Sequence, residues 1–522
     1  MSDTLANPPG SAAPGVADER KTWFGHPRGL AVCFFTEMWE RFSYYGMRTI
    51  LVLYLTKYHL FTAGKASLIY GAYAGLVYMM PILGGYLADR YLGSRKAVTY
   101  GALLLVAGHG LMAFHGPEAY VEGDAIVRNE FYISVFILAL ALIITGVGFL
   151  KANISTIVGA LYEENDPRRD GGFSIFYMGI NLGSLFATLI VGYVGETYGW
   201  NYGFGIAGIG MLFGLVAFLS GQSMLEGKAE PPSEERLKAR SPVGLSNEWT
   251  IYVGGIGLVV LAWVAMQFQE LVGSLLGVAG LTMLAIIIGY AFTKTEGAAR
   301  DRLLVASFLI AIQSVFWALF EQQAASLTLL ADQQFNLNVL GIEIKASQVQ
   351  FMNPLFIVVF APIFAWAWVA LSRAKLEPST PAKFGIAMLL IGLGYVVFAW
   401  GLGFDDGVNK SFVWLVFIYL ALTLAELCLS PVGLSMVTKL SVPQIVGMMM
   451  GTWFLFTALG NYVAGVISAL AGADAHGGGD AGLLDLPATI GIYYRIGALS
   501  VVVGLIIFAL TPLMQKRMHG VK

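Results

Sequence analysis

The chain has 522 residues, 57% of them hydrophobic and 12% charged, with 63 glycines and a formal net charge of −2. Soluble domains carry roughly 25% charged residues, so this composition excludes an ordinary soluble protein. It points to an all-α polytopic membrane protein in a lipid bilayer, with helices packed through small residues, and gives no reason to expect a nucleic-acid partner.

Residues 1–25 read as a disordered cytoplasmic tail, rich in Ala, Pro, Gly and Ser and ending in charge. Nothing in them resembles a cleaved signal peptide. Apolar runs then fall at about 28–57, 66–89, 97–115, 131–159, 172–197, 201–221, 249–268, 271–293, 303–331, 347–372, 383–403, 411–438, 443–471 and 489–514. That makes fourteen candidate transmembrane helices.

The first run carries Glu37, Glu40, Arg41, Tyr44, Tyr45 and Arg48 at spacings of i, i+3, i+4, i+7, i+8 and i+11. At ~100° per residue these fall within an arc of ~140° on a helix. The stripe inverts a soluble amphipathic helix, because its charged side has to face something wet or ionic. Each intramembrane charge costs at least ~2.5 kcal/mol at mid-membrane. Such a stripe is either a structural set of ion pairs, Glu37–Arg41 being the obvious one, or part of a substrate and proton pathway.

The second run ends in Gly84-Gly-Tyr-Leu-Ala-Asp89-Arg90-Tyr-Leu-Gly93-Ser-Arg95-Lys96. Here Gly allows a tight turn, Asp89 is expected to reach a helix N-terminus, and the basic residues hold the loop inside. Cys33 and Cys428 read as small buried hydrophobes, and His109 as a packed core histidine. Lys151 sits inside the fourth run, Glu321 in the ninth and Glu426 in the twelfth. With the first stripe this gives four carboxylates against the cations Arg41, Arg48 and Lys151. Three pairs leave one carboxylate over, easiest to bury when protonated.

The stretch Gly221–Asn247, rich in Pro and charge, reads as a linker. The next two runs, about 249–293, hold almost no charge beyond Glu270, expected in the turn between them. They are expected to form a peripheral hairpin that lines no pathway. Removing them leaves six runs on each side, an arrangement of many secondary transporters. The expected division is thus a six-helix bundle at 26–222, linker and hairpin at 223–300, and a second bundle at 301–518. Pro81, Pro354, Pro362 and Pro431 lie inside runs and are expected to permit kinks. Gly472–Gly479 reads as a Gly-rich outer loop. With both termini placed inside, 22 of the 31 Lys and Arg residues fall on the inner side, so cytoplasmic termini are expected. No metal-ligand cluster, phosphate loop or nucleophile motif stands out, and no cofactor is expected.

The loop from Gly84 to Lys96 is similar to a signature of the major facilitator superfamily, with one extra residue before Gly93. The E-x-x-E-R-F-x-Y-Y motif at Glu37–Tyr45 and the run Phe176-Tyr177-Met-Gly-Ile180-Asn181-Leu-Gly183-Ser184-Leu185 carry a closer likeness, as do Gly148–Lys151, Phe316–Gln322 and Glu426–Gly433. On these the chain resembles the proton-dependent oligopeptide transporters (the POT/PTR family), over nearly its whole length. Ala152 departs from the pattern, since many members have Pro after the Lys.

The resemblance implies a major facilitator fold of two six-helix bundles with an inserted hairpin, in a bacterial inner membrane. It implies a symporter that imports di- and tripeptides with protons. Arg41, Arg48 and Lys151 would then hold the peptide carboxylate, and Asn181, Asn353 and Glu426 its amino terminus. Tyr44, Tyr45, Tyr78, Trp317 and Trp453 would line side-chain pockets. Arg48–Glu321 would be an outer gate pair and Lys151–Glu426 an inner one, with Glu37, Glu40, Arg41 and Lys151 in proton coupling. The alternative is the same machine carrying another solute, such as nitrate or an organic ion. An intramembrane enzyme would need a nucleophile beside a base, and His109 has no evident Ser or Cys partner; a passive channel fits poorly with gate pairs.

Overall fold

The computed structural model describes residues 22–123, 125–163, 166–405, 409–472 and 482–521. Most of the expected tail (1–21) and of the expected Gly-rich loop (from 473 on) lies outside the described residues. The chain is built from α1 (Gly29–Lys57), α2 (Ala63–Leu87), α3 (Gly93–Met112), α4 (Glu130–Ala160), α5 (Arg169–Tyr198) and α6 (Trp200–Gly221). After the short α7 (Glu234–Lys238) come α8 (Asn247–Gln267) and α9 (Gln269–Lys294). Then follow α10 (Gly297–Phe320), the short α11 (Ser326–Gln334), α12 (Met352–Arg373), α13 (Thr380–Phe404), α14 (Phe412–Leu440), α15 (Val446–Leu470) and α16 (Leu486–Arg517). Twelve described segments are long and apolar enough to cross a membrane, one of them, Ala63–Met112, holding both α2 and α3. α1, charged at 37, 40, 41 and 48, is not among them.

α1 starts at what we call the near face and ends at the far face. The last helix returns to the near face, where Arg517 of α16 pairs with Asp301 of α10 at 3.0 Å. Helices α1–α6 and α10–α16 meet where α2 crosses α15. A Cβ on Gly71 there would come within 2.9 Å of Gly465 Cα, and Ser67 Oγ and Ser468 Oγ lie 2.8 Å apart. Without an apolar drive between helices in lipid, such close backbone approach and hydroxyl pairing supply the attraction.

The hairpin α8–α9 touches both sets of helices. Trp263 Nε1 donates to Ser134 O of α4 (3.1 Å), and Tyr100 Oη of α3 donates to Tyr252 O (2.8 Å). On the other flank Gly273 of α9 lies under the Tyr462 ring of α15. The turn falls at Phe268, and Glu270 sits in the first turn of α9.

Five local features depart from the sequence reading. Residues 22–25 do not belong to a loose tail: Thr22–Trp23 pairs with His26–Pro27, and the Trp23 ring packs 5.6 Å from Phe34. Asp89 caps no helix among the described residues; it is exposed in a π-helical turn, Ala88–Leu92. The run at 303–331 is not one helix, for α10 stops at Phe320 and a 3-10 turn, Glu321–Ala324, leads into α11. Side chains replace the missing ladder bonds: Gln322 Nε2 donates to Ala318 O and Ala464 O (3.0 Å each), and Thr328 Oγ1 to Gln323 O (2.8 Å). Likewise a 3-10 turn, Ala346–Phe351, precedes α12. Pro354 therefore lies in the first turn of α12, where a missing N–H removes no bond of that helix.

Candidate functional site

The charged stripe of α1 is buried: Glu37 is 3% exposed, Glu40 1%, Arg41 3% and Arg48 4%. Arg41 Nε lies 2.9 Å from Glu37 Oε1 and 2.5 Å from Glu40 Oε2. One guanidinium between two carboxylates leaves a negative charge in excess when both are ionised. Glu37 Oε2, Glu40 Oε1 and Arg41 Nη2 find no hydrogen-bond partner among the described residues. Burying an uncompensated charge is costly, and one proton removes it.

Almost two turns along, Arg48 is neutralised differently. Its Nη2 donates to Glu321 Oε2 at 2.6 Å, and Tyr70 Oη donates to the same oxygen at 2.8 Å. The helix break after Phe320 brings the Glu321 carboxylate to α1. Further polar contacts join the two sets of helices towards the far face. Thr49 Oγ1 donates to Ser347 O (2.6 Å), Ser347 N donates to Glu196 Oε1 (2.8 Å), Gln348 Nε2 donates to Leu189 O (2.9 Å), and Lys57 pairs with Asp332 (2.5 Å).

Beside this seam lies a cavity of about 630 Å³. Eight of the residues singled out in the sequence line it: Tyr45, Arg48, Tyr78, Asn181, Trp317, Glu321, Asn353 and Glu426. They come from α1, α2, α5, α10, the 3-10 turn, α12 and α14, so both sets of helices contribute. Asn353 Nδ2 donates to Glu426 Oε2 and Thr423 Oγ1, each at 3.1 Å. Trp317 Nε1 donates to Gln313 Oε1 at 2.6 Å, which orients the indole. Asn181 Nδ2 donates to Tyr177 O on its own helix at 3.0 Å.

Other expected residues lie behind this wall or apart from it. Of the cations, Arg48 alone lines the cavity; Arg41 is held by Glu37 and Glu40, and Lys151 Nζ lies 3.9 Å from the Tyr78 ring centre. Tyr44 is buried against Tyr45 and Tyr73, with ring centres 5.3 and 6.5 Å away. Trp453 fills the space left by Gly433, where a Cβ would come within 2.1 Å of its indole, and does not reach the cavity. Lys151 and Glu426 are not joined in this structure. Glu426 accepts from Asn353, Lys151 sits over Tyr78, and the seam that draws the helices together lies further towards the far face.

The sequence reading missed Thr188, Gln323 and Gln350 as lining residues. Their signal was available, as amides and hydroxyls within apolar runs. Gln350 Nε2 donates to Thr328 Oγ1 at 3.0 Å across the interrupted helices. No residue of the α8–α9 hairpin lines the cavity. His109 is fully buried, and both ring nitrogens lack a hydrogen-bond partner among the described residues. Chemically, the chamber offers one guanidinium, two carboxylates, several amides and amphipathic rings.

Comparison with known proteins bears on this arrangement. Residues 95–479 match the family described as PTR2: POT family. The chain is 40% identical over 519 residues to the uncharacterized transporter YclF of Bacillus subtilis (strain 168), covering 96% of this chain and 97% of that one. It is 38% identical over 485 residues to the peptide transporter YePEPT of Yersinia enterocolitica, covering 87% and 90%. Among solved structures, a peptide transporter POT variant in complex with sulfate superposes with a TM-score of 0.81 at 35% identity, covering 96% and 97%. The fold is the all-α polytopic one of those transporters.

Proposed function

The chain belongs to the POT family, and from that premise we propose that it is a proton-coupled symporter that imports di- and tripeptides by alternating access. The observation that carries this reading is the cavity itself, lined from both sets of helices, with Arg48 and Glu321 joined beside the far-face seam and with Asn353 of α12 bonded to Glu426 of α14. A peptide zwitterion has a carboxylate and an ammonium, and a chamber with a cation, acidic groups and amides complements it. Arg48 and, behind the wall, Arg41 and Lys151 attract the carboxylate. Glu426, Asn353 and Asn181 receive the amino terminus. Tyr45, Tyr78 and Trp317 meet the side chains; Tyr44 and Trp453 support the wall from behind.

In this reading the fourteen long helices cross an inner membrane as two six-helix bundles plus the hairpin, with the near face cytoplasmic. The excess of Lys and Arg on that side supports the orientation. The joined Arg48–Glu321 pair with Lys151 and Glu426 apart corresponds to a state closed outwards. Inward closure joins Lys151 to Glu426 and parts Arg48 from Glu321. Glu37 and Glu40 share Arg41, so a proton arriving there removes a buried charge, and this links protonation to the same helix that carries the gate.

The test is uptake by vesicles holding the purified full chain. A labelled dipeptide should accumulate above its external concentration when the outside is acidic, and a protonophore should collapse the gradient. Accumulation that ignores the protonophore overturns the coupling; transport of nitrate with no competition by dipeptides overturns the substrate class.

A further inference from the structure

Two tyrosines three residues apart on α2, Tyr70 and Tyr73, share one side of the helix, and both are fully buried. Their hydroxyls are treated differently. Tyr70 Oη donates to Glu321 Oε2 at 2.8 Å, beside the bond from Arg48. Tyr73 Oη has no hydrogen-bond partner among the described residues. A buried hydroxyl without a partner is a cost, and native folds keep few of them. Phenylalanine would fill the same space without that cost, so the hydroxyl calls for a use outside the state shown.

Its place in the fold indicates the use. On α1, Glu40, Tyr44 and Arg48 follow one another at four-residue steps. They form one row, each about 6 Å further from the near face than the last. The chain turns at 58–62, and α2 runs back. Tyr70 stands level with the Arg48–Glu321 pair, since it bonds the same carboxylate oxygen as Arg48. Tyr73 comes three residues later, about 4.5 Å closer to the near face. There its ring stacks on that of Tyr44, with centres 6.5 Å apart and planes 25° from parallel. Tyr73 therefore stands between the level of Arg48–Glu321 and that of Glu40–Arg41. The groups that act electrostatically on its hydroxyl come from both levels: Glu40, Arg48 and Arg41 of α1, with Tyr78 on its own helix.

Each level also holds an unused polar atom. Glu40 Oε1 and Arg48 Nε have no hydrogen-bond partner among the described residues. A guanidinium only donates and a carboxylate ion only accepts, whereas a tyrosine hydroxyl does both. A group of that kind, uncommitted and buried between two acidic sites, is suited to pass a proton from one to the other.

We propose that Tyr73 is a proton relay between Glu321 and Glu40. The proposal rests on the proton-coupled reading given above. When Arg48 and Glu321 part, the carboxylate loses its counter-charge and takes a proton from water on the far side. When they rejoin, that proton has to leave, because the pair needs an ionised Glu321. Tyr73 Oη receives it, directly or through one water, while its own hydroxyl proton passes to Glu40. One proton has then moved: Glu321 ends as a carboxylate, Glu40 as a carboxylic acid, and Tyr73 as it began.

The test uses the purified full chain in vesicles with a labelled dipeptide. Proton-driven uptake and exchange of peptide across the membrane are measured on the unmodified chain, Tyr73→Phe and Tyr44→Phe. Tyr73→Phe removes an oxygen that bonds nothing here, so thermal unfolding should be unchanged or slightly raised. The initial rate of proton-driven uptake should fall at least about tenfold, whereas exchange, which carries no net proton, should persist. Placing 3-fluorotyrosine at position 73, which keeps the shape and the hydroxyl, should restore uptake. Equal proton-driven uptake by the unmodified chain and Tyr73→Phe overturns the relay. So does an equal fall in uptake and exchange, or a drop in thermal stability, either of which makes the hydroxyl structural. A loss confined to Tyr44→Phe places the path on α1 and overturns it too. Absence of proton-driven uptake in the unmodified chain is a separate result, which removes the transport reading and the relay with it.

Discussion

Two arginines less than two turns apart on α1 are neutralised in opposite ways. Arg41 is held by Glu37 and Glu40 on its own helix, whereas Arg48 is held by Glu321, 273 residues away in sequence. The first cluster survives any movement of one set of helices against the other, because all three side chains ride on one rigid element. The second exists only while α1 and the turn after α10 stay together. Local pairing therefore suits a group whose protonation has to persist through a conformational cycle, and long-range pairing suits a group that has to report or lock one stage of it. Buried pairs make the contrast sharp, since Coulomb energies rise as the local dielectric falls.

The comparison breaks most strongly at the long-range pair. Glu321→Ala strips Arg48 and Tyr70 of their shared acceptor and should cost about 3–5 kcal/mol, the toll of a buried charge left unpaired. Thermal unfolding and vesicle uptake should both fall. A double-mutant cycle with Arg48→Ala should return a coupling well above that of a surface pair. Additive losses would mean that the two groups act separately.

Lys151→Ala should abolish proton-driven accumulation while changing stability less than Glu321→Ala does. In this state Lys151 leans on the Tyr78 ring, a contact worth roughly 0.5–2 kcal/mol. Normal accumulation by a well-expressed variant would remove Lys151 from the mechanism.

Glu40→Gln sharpens the local side of the contrast. Gln retains size and hydrogen bonding and does not titrate. Proton-driven uptake should fall, while exchange of peptide across the membrane should persist. An equal fall in both would make the Glu37–Glu40–Arg41 cluster a structural or substrate-binding unit.

Glu426 tests the part of the cavity built by α12 and α14. An N-acetylated dipeptide should compete roughly tenfold more weakly than the free one, the low end of a charged hydrogen bond, and Glu426→Gln should narrow that gap. Inhibition constants for both ligands on both proteins decide it, and a gap that survives the substitution places the amino terminus elsewhere. The smallest effect belongs to the hairpin: Trp263→Phe loses the bond to Ser134 O and should cost about 0.5–1.5 kcal/mol, with substrate selectivity unchanged. Altered selectivity would make the hairpin part of the site.

Most of the site's residue types were legible because the bilayer is an unforgiving solvent: charges and amides within apolar runs are costly, so each one present draws attention. That reasoning found Arg48, Glu321, Asn353 and Glu426, all of which line one cavity. It did not find Gln323 and Gln350, which reach the chamber because the chain leaves the helix around them. A continuous apolar run gives no sign of such a break, since the side-chain bonds that compensate it come from distant helices.

What the sequence determined by itself was therefore the class of fold and the inventory of buried charge, both consequences of composition and period acting locally. The tertiary structure alone decided which charges meet. The exception is Glu37, whose pairing with Arg41 follows from helix geometry and was legible from the i, i+4 spacing; Glu40, adjacent to Arg41 in sequence, was not marked by it. Arg48 chooses Glu321, Lys151 rests on Tyr78, Glu426 accepts from Asn353, and Trp453 withdraws into the gap at Gly433. Those choices depend on how two sets of helices lean on each other, and the energy that sets the lean is spread over contacts such as Gly71–Gly465 and Glu196–Ser347, between residues hundreds or scores of positions apart, which no local pattern encodes.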